Sequence, residues 1–131
     1  MPLFMLDTDT VSFALRGIGG VASQLAKHKR SELCLSAITV AELRFGAAKR
    51  RSRKIHRAIE AFLSGVDVLA FDGSAAEKFG AIAAALSTSG EPIGQMDTLI
   101  AGHALSVSAT LVTNNRRHFS KVKGLRLENW V

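Results

Sequence analysis

Short strand-like runs alternate with amphipathic segments from one end of the chain to the other. Four such runs lie at residues 3–6, 33–36, 66–71 and 110–113, and residues 125–127 allow a fifth. Between the runs, apolar side chains recur at the spacing of amphipathic helices. Strands that alternate with helices in this way predict an α/β fold, with a parallel or mostly parallel sheet and helices on both of its faces.

The length and composition bound the kind of protein that the chain can be. It has 131 residues, of which 47% are hydrophobic, so we expect one domain over residues 1–131 with a sizeable core. One cysteine, Cys34, excludes an internal disulfide and a cysteine-based zinc cluster. No apolar run approaches the ~20 residues that a membrane helix needs. Because Asp7 and Asp9 also interrupt any leader-like pattern, we expect a soluble, cytoplasmic protein with no membrane association.

The balance of charge is basic. Seventeen lysines and arginines against eleven acids give a net charge of +6. Such an excess favours an anionic partner, either nucleic acid or an acidic protein, but it is equally often an ordinary solvated surface. The densest basic stretch runs from residue 44 to residue 57.

Three of the eleven acids have apolar neighbours in the sequence. Asp7 ends the first strand-like run, Glu42 lies within an apolar helical segment, and Asp97 opens the helix before the fourth run. Ligands of open α/β sheets bind outside the carboxyl ends of the strands, and each of these acids can reach that edge. Glu42 also has a structural interpretation, because it follows Thr39 at capping-box spacing.

Three carboxylates in close quarters would repel one another, and a hard divalent cation relieves that repulsion. Mg²⁺ and Mn²⁺ prefer oxygen ligands. Such an ion can polarise a phosphoryl oxygen and supply hydroxide from bound water. A basic surface around an acidic pocket therefore suits hydrolysis of a phosphodiester. Among the histidines, His103 is expected to pack in the core, whereas His118 follows Asn115 by one turn and has a route to a phosphate.

Five motifs span the chain. They are Phe-Met-Leu-Asp-Thr at 4–8, Thr-Val-Ala-Glu-Leu-Arg-Phe-Gly at 39–46, Asp-Thr-Leu-Ile-Ala at 97–101, Leu-Val-Thr-Asn-Asn at 111–115 with Phe119, and the ending at 124–130. Taken together and in this order, they resemble the PIN-domain ribonucleases and, more closely, the VapC toxins of bacterial toxin–antitoxin pairs.

The resemblance implies a PIN-like three-layer α/β/α sandwich with a four- to five-stranded, mostly parallel sheet. It implies a Mg²⁺- or Mn²⁺-dependent endoribonuclease toxin that hydrolyses RNA and inhibits translation. Some relatives cut transfer RNA and others cut ribosomal or messenger RNA, so the resemblance leaves the choice of RNA open. It also implies a homodimer and a cognate VapB-type antitoxin.

The resemblance also assigns roles to individual residues. Asp7, Glu42 and Asp97 match the acidic metal site, Asn115 matches its fourth position, and Thr8 and Thr113 match its hydroxyl neighbours. Our candidates for contact with the RNA backbone are Arg44, Arg50, Arg51 and Arg116. One departure is Asp9, which stands where the family usually has asparagine.

Two other functions stay open on the sequence alone. Asp-Thr-Asp-Thr-Val at 7–11 also fits the start of the haloacid-dehalogenase-like phosphatases, where Asp7 would be a nucleophile and Asp9 an acid/base. That motif is short, and the chain is small for that fold. The second alternative is a non-catalytic RNA-binding module that uses the basic run, although aromatic side chains for base stacking are few.

Overall fold

The computed structural model describes residues 2–131 and builds them around one parallel sheet. Its strands are β1 (Phe4–Leu6), β2 (Leu33–Ser36), β3 (Asp67–Leu69), β4 (Thr110–Val112) and β5 (Leu127–Glu128). They are ordered β3-β2-β1-β4-β5, and every neighbouring pair is parallel. The predicted α/β architecture with a parallel sheet is confirmed, and the described part of the chain contributes five strands.

Within residues 2–131, seven α-helices connect and cover the strands. They are α1 (Thr8–Leu15), α2 (Val21–Leu25), α3 (Ala37–Lys49), α4 (Arg53–Leu63), α5 (Gly73–Thr88), α6 (Gln95–Ser106) and α7 (Arg116–Phe119). No helix within residues 2–131 has both the length and the apolar character needed to cross a bilayer.

The register of the central strands brings their carboxyl ends to one edge. Met5 of β1 lies beside Cys34 of β2 and Leu111 of β4. The residues that follow these three strands therefore meet at the same edge, which is where open parallel sheets bind ligands.

Alternation along the strands supplies two hydrophobic cores, one on each face of the sheet. Met5 and Leu111 belong to the core under α5 and α6, whereas Leu6 and Val112 belong to the core under α1, α3 and α4. Gly102 lets α6 approach α5 closely, because a Cβ there would lie 2.8 Å from the backbone nitrogen of Phe79. This packing fixes the start of α6 relative to the sheet.

The predicted Thr39 cap of α3 is wrong. Ser36 caps α3 instead, and its hydroxyl accepts from the Ile38 N–H at 3.1 Å. The strand runs directly into the helix without a loop, so the cap falls on the last strand residue and Thr39 lies inside the first turn. The capping-box interpretation of Glu42 fails with the Thr39 cap.

Candidate active site

Asp7 lies at the junction of β1 and α1. Its backbone N–H donates to the Val112 carbonyl at 3.0 Å, and its Oδ1 accepts from the Thr10 N–H at 2.8 Å as the cap of α1. The residue is only 4% exposed. An acid at this position is stabilised by the first-turn N–H groups of the helix, which hold the carboxylate in one orientation.

Burial is costly for the Asp7 charge. It raises the pKa of Asp7, hydrogen bonds from Thr113 and Thr10 oppose the rise, and repulsion from Asp9 adds to it. Within residues 2–131, no lysine or arginine forms an ion pair with Asp7. The site therefore contains a buried carboxylate whose charge the protein's own cations leave uncompensated.

A polar chain extends from Thr113, at the carboxyl end of β4, to α7. Thr113 is fully buried, and its Oγ1 accepts from the Asn115 N–H at 2.8 Å. The Asn115 side-chain Nδ2 lies 2.9 Å from Nδ1 of His118. Asn115 is thus joined to Asp7 through Thr113 and to α7 through His118.

Asp97, in the first turn of α6, lies beside the His118 end of this chain. Its Oδ2 lies 3.5 Å from His118 Nδ1. Burial raises the pKa of Asp97, the neighbouring His118 opposes the rise, and repulsion from Asp9 adds to it. Because Asp9 raises the pKa of both Asp7 and Asp97, the three acids share one electrostatic environment.

Glu42 lies on a separate branch of the site. Its Oε1 accepts from the Thr8 hydroxyl at 2.6 Å, and the same hydroxyl lies 3.5 Å from Oγ1 of Thr39. The chain places Thr8 directly after Asp7, so this branch joins the edge at the start of α1. The contact between Thr8 and Glu42 gives Glu42 a fixed position on α3.

The positions of Asp7, Glu42 and Asp97 do not show the close grouping of three carboxylates that the sequence predicts. No group of three or more histidine, cysteine, aspartate or glutamate side chains in the described part of the chain is arranged to hold a metal ion. The Thr8 hydroxyl holds Glu42, while Asp7 and Asp97 belong to the Thr113–Asn115–His118 chain. The donors nevertheless fit a hard cation, since Mg²⁺ usually keeps several waters and binds through one or two carboxylates.

The predicted RNA-binding arginines divide into engaged and free side chains. Arg44 forms an ion pair with Glu60 and contacts His56 Nδ1 at 3.2 Å. Arg50, Arg51 and Arg116 are exposed. Arg44 is therefore held by α4, and the other three remain available to an anion.

A cleft of about 770 Å³ opens between α1, α3 and α4. Thr8 and Glu42 line it, and so do three cations, Arg16, Arg50 and Lys54. The cleft therefore joins one branch of the acidic site to a basic channel.

Sequence reasoning missed several of these residues. Arg16 gave no signal, and Lys54 belonged to the basic stretch at 44–57 without being singled out, because their place in the cleft depends on how three helices pack. His118 was weighed only for an approach to phosphate. Its helical spacing of three residues from Asn115 was the available signal for their contact.

Two other reactive side chains are confirmed as core residues. Burial raises the pKa of the Cys34 thiol to about 12, so it stays an inert apolar group. His103 is 1% exposed, and its Nδ1 lies 2.7 Å from the Ser36 hydroxyl.

Comparison with known proteins identifies the family. The PIN domain family model matches residues 4–125. The chain is 40% identical over 128 residues to a tRNA(fMet)-specific endonuclease VapC of Shigella flexneri, covering 97% of both chains. It is 40% identical over 129 residues to a ribonuclease VapC2 of Haemophilus influenzae, covering 98% of both. A crystal structure of DNA-bound VapBC from Salmonella typhimurium matches it with a TM-score of 0.90 and 38% identity over 100% of both chains. The chain belongs to the PIN-domain family and, within it, to the VapC ribonucleases.

Proposed function

We propose that the protein is a divalent-metal-dependent endoribonuclease, the toxin of a VapBC-type pair, that hydrolyses RNA phosphodiester bonds and inhibits translation. One observation carries the proposal. Buried Asp7 and half-buried Asp97 lie at the ligand-binding edge of a parallel sheet, with Thr113, Asn115 and His118 between them, in a protein that matches VapC ribonucleases over nearly its whole length.

The metal site is built from the ends of β1 and β4 and the start of α6. VapC nucleases of the PIN-domain family generally depend on a divalent metal. Here Asp7 and Asp97 would hold Mg²⁺ or Mn²⁺, with Asn115 as a neutral oxygen ligand. Such an ion supplies charge to polarise a phosphoryl oxygen and makes water a stronger nucleophile.

The remaining residues position groups around this site. Glu42, held by Thr8, accepts a hydrogen bond from the attacking water and orients it. Thr113 fixes Asp7 and the Asn115 backbone together. Arg50, Arg51 and Arg116 neutralise phosphates of the RNA backbone, and Arg16 and Lys54 extend this contact along the cleft.

The partners follow from the same charges. The Shigella flexneri relative is named for tRNA(fMet), and we propose transfer RNA as the first substrate to test. A VapB-type antitoxin would inhibit the enzyme by placing an arginine at the acidic edge, which is the edge of the sheet that carries Asp7 and Asp97. Their two carboxylates favour a positively charged hydrogen-bond donor. The active form would be a homodimer.

The test is metal-dependent cleavage by the purified chain, separated from its antitoxin. We expect it to cut initiator transfer RNA in Mg²⁺, to lose activity in excess chelator, and to recover it with added Mg²⁺ or Mn²⁺. The Asp7→Asn variant keeps a helix-capping side chain but removes the charge, and should be inactive. Cleavage in excess chelator, or by Asp7→Asn in Mg²⁺, at the rate that the parent shows in Mg²⁺ would contradict the proposal.

A broader RNA pool separates substrate choice from enzyme class. Mapping cleavage sites in total RNA after brief induction, beside the Asp7→Asn control, identifies the preferred RNA. Cuts in ribosomal or messenger RNA but not in transfer RNA would overturn only the substrate assignment.

The two other functions are not favoured by the family match. A haloacid-dehalogenase-like phosphatase would form a phosphoaspartate on Asp7, which mass spectrometry after reaction with a phosphomonoester would detect. A non-catalytic RNA-binding module would retain RNA intact in Mg²⁺.

A further inference from the structure

His118 lies between two residues of the proposed metal site. Its Nδ1 is 2.9 Å from Asn115 Nδ2 and 3.5 Å from Asp97 Oδ2. The first distance is that of a hydrogen bond, and the second is longer than one. The amide Nδ2 can only donate, so a hydrogen bond at this distance uses Nδ1 of His118 as its acceptor, which corresponds to the ring tautomer with its proton on Nε2.

The side chain of Asn115 does not cap the helix that follows it. It is the residue that precedes α7, where asparagine normally caps the helix by accepting from a first-turn N–H. Here its side chain makes no capping hydrogen bond. The amide turns its Nδ2 to His118 instead, and within residues 2–131 no donor is hydrogen-bonded to its Oδ1.

We propose that His118 is a positioning residue that fixes the orientation of the Asn115 amide. With Nδ2 held by the imidazole, the other end of the amide, Oδ1, is left free as an oxygen ligand. Without His118, the amide is free to rotate and to present Nδ2, which cannot bind a cation. This inference rests on the proposed metal-dependent function.

The first test observes the tautomer in the metal-free protein. Two-bond ¹H–¹⁵N correlation spectra of ¹⁵N-labelled protein, at a pH where His118 is neutral, distinguish the two ring nitrogens. We expect an unprotonated Nδ1 and a protonated Nε2 for His118. A proton on Nδ1 would leave it unable to accept from Asn115 and would overturn the proposal.

The second test measures Mn²⁺ affinity by electron paramagnetic resonance. Because groups that orient metal ligands commonly change affinity by 10- to 100-fold when removed, we expect His118→Leu to weaken Mn²⁺ binding by about tenfold or more. His118→Gln offers Oε1 as a replacement acceptor and should restore affinity to within about threefold of the parent. Equal affinity in the parent and His118→Leu would overturn the proposal.

An Asn115→Ala background separates positioning from a direct or general effect. If His118 acts through Asn115, adding His118→Leu to Asn115→Ala should cause no further loss. A full additional tenfold loss would overturn the proposal. If the parent itself binds no Mn²⁺, the metal-dependent function fails and the ligand role of Asn115 fails with it. Unchanged binding in His118→Leu, with a parent that does bind Mn²⁺, overturns the positioning role alone.

Discussion

The acidic edge and the basic cleft lie side by side but are built in opposite ways. Asp7 is 4% exposed and Thr113 is fully buried, and both are fixed by hydrogen bonds at the ends of central strands. Arg50 and Lys54 are exposed on the helices that line the cleft. The two regions meet different requirements. Bond cleavage needs metal ligands that are held in one geometry, whereas RNA binding needs charged side chains that can adapt their conformation.

The two regions also differ in their effect on stability. Buried carboxylates with raised pKa values favour unfolding at neutral pH, because the charged form is better solvated in the unfolded chain. Exposed arginines and lysines carry no such cost. The acidic edge therefore lowers the stability of the fold in exchange for a functional site, whereas the exposed cations of the cleft do not lower it.

The largest effect is expected from neutralising the acidic edge. Asp7→Asn should lower the rate of RNA cleavage by about 10²- to 10³-fold, because a charge aimed at the reacting group is lost while the cap of α1 is kept. The matched control is Asp67→Asn, which removes an exposed acid paired with Arg30 at the far edge of the sheet. Equal losses in both variants, measured on the same RNA, would mean that the edge has no special role.

The next effect tests the Glu42 branch. Thr8→Val removes the hydroxyl that donates to Glu42 while keeping the side-chain shape, and should lower kcat by about 10- to 100-fold with a small change in KM. Thr8→Ser restores the hydroxyl and should recover most of the activity. If Thr8→Val cuts RNA as fast as the parent, the position of Glu42 does not matter to the reaction.

The cleft should respond in binding rather than in chemistry. The Arg50→Ala/Lys54→Ala variant should raise KM and flatten the salt dependence of RNA binding by about one to two units of slope, since each neutralised phosphate of a single strand contributes roughly 0.7. Its kcat at saturating RNA should stay close to that of the parent. Lys78→Ala/Lys123→Ala, on the surface around α5, serves as the charge-matched control. An unchanged salt slope in the cleft variant would mean that the RNA does not bind along this cleft.

The smallest effect is a pH dependence of stability. The folded-state pKa of Asp7 is raised from its ordinary 3.8, so its protonated form stabilises the fold and that contribution is lost as pH rises through the folded pKa. In the metal-free protein, the free energy of unfolding of Asp7→Asn should therefore increase relative to that of the parent from about pH 4 upward. Denaturant titrations across that range measure the free energy of unfolding of both proteins. A difference that stays constant with pH would mean that burial does not raise the pKa of Asp7.

Much of the acidic edge was predictable because it depends on strand ends. Apolar runs mark β1 and β4 in the sequence, and the residues that follow them, Asp7 and the Thr113–Asn115 segment, are expected at the edge. Asp97 was placed by the start of a long helical pattern. These inferences worked since parallel strands bring residues from distant parts of the chain to one edge by a general rule.

The remaining features depend on packing that local patterns do not contain. The Thr8–Glu42 hydrogen bond joins residues 34 positions apart, and the Thr39 capping box looked as good locally as the true cap at Ser36. Arg44 belonged to a basic run, but Glu60 of α4 pairs with it. Side-chain partners across helices were the part that sequence alone did not supply.

The most direct test of the acidic edge as a metal site is the melting temperature at about pH 7.5 with and without Mg²⁺, in the parent and in Asp7→Asn. Without metal, Asp7→Asn should melt higher because the buried charge is gone. With Mg²⁺ at about 100 times Kd, the parent should gain about 2.7 kcal/mol, or several degrees, while Asp7→Asn gains little. An equal Mg²⁺ response in both chains, with no difference between them in its absence, would contradict a metal held by Asp7.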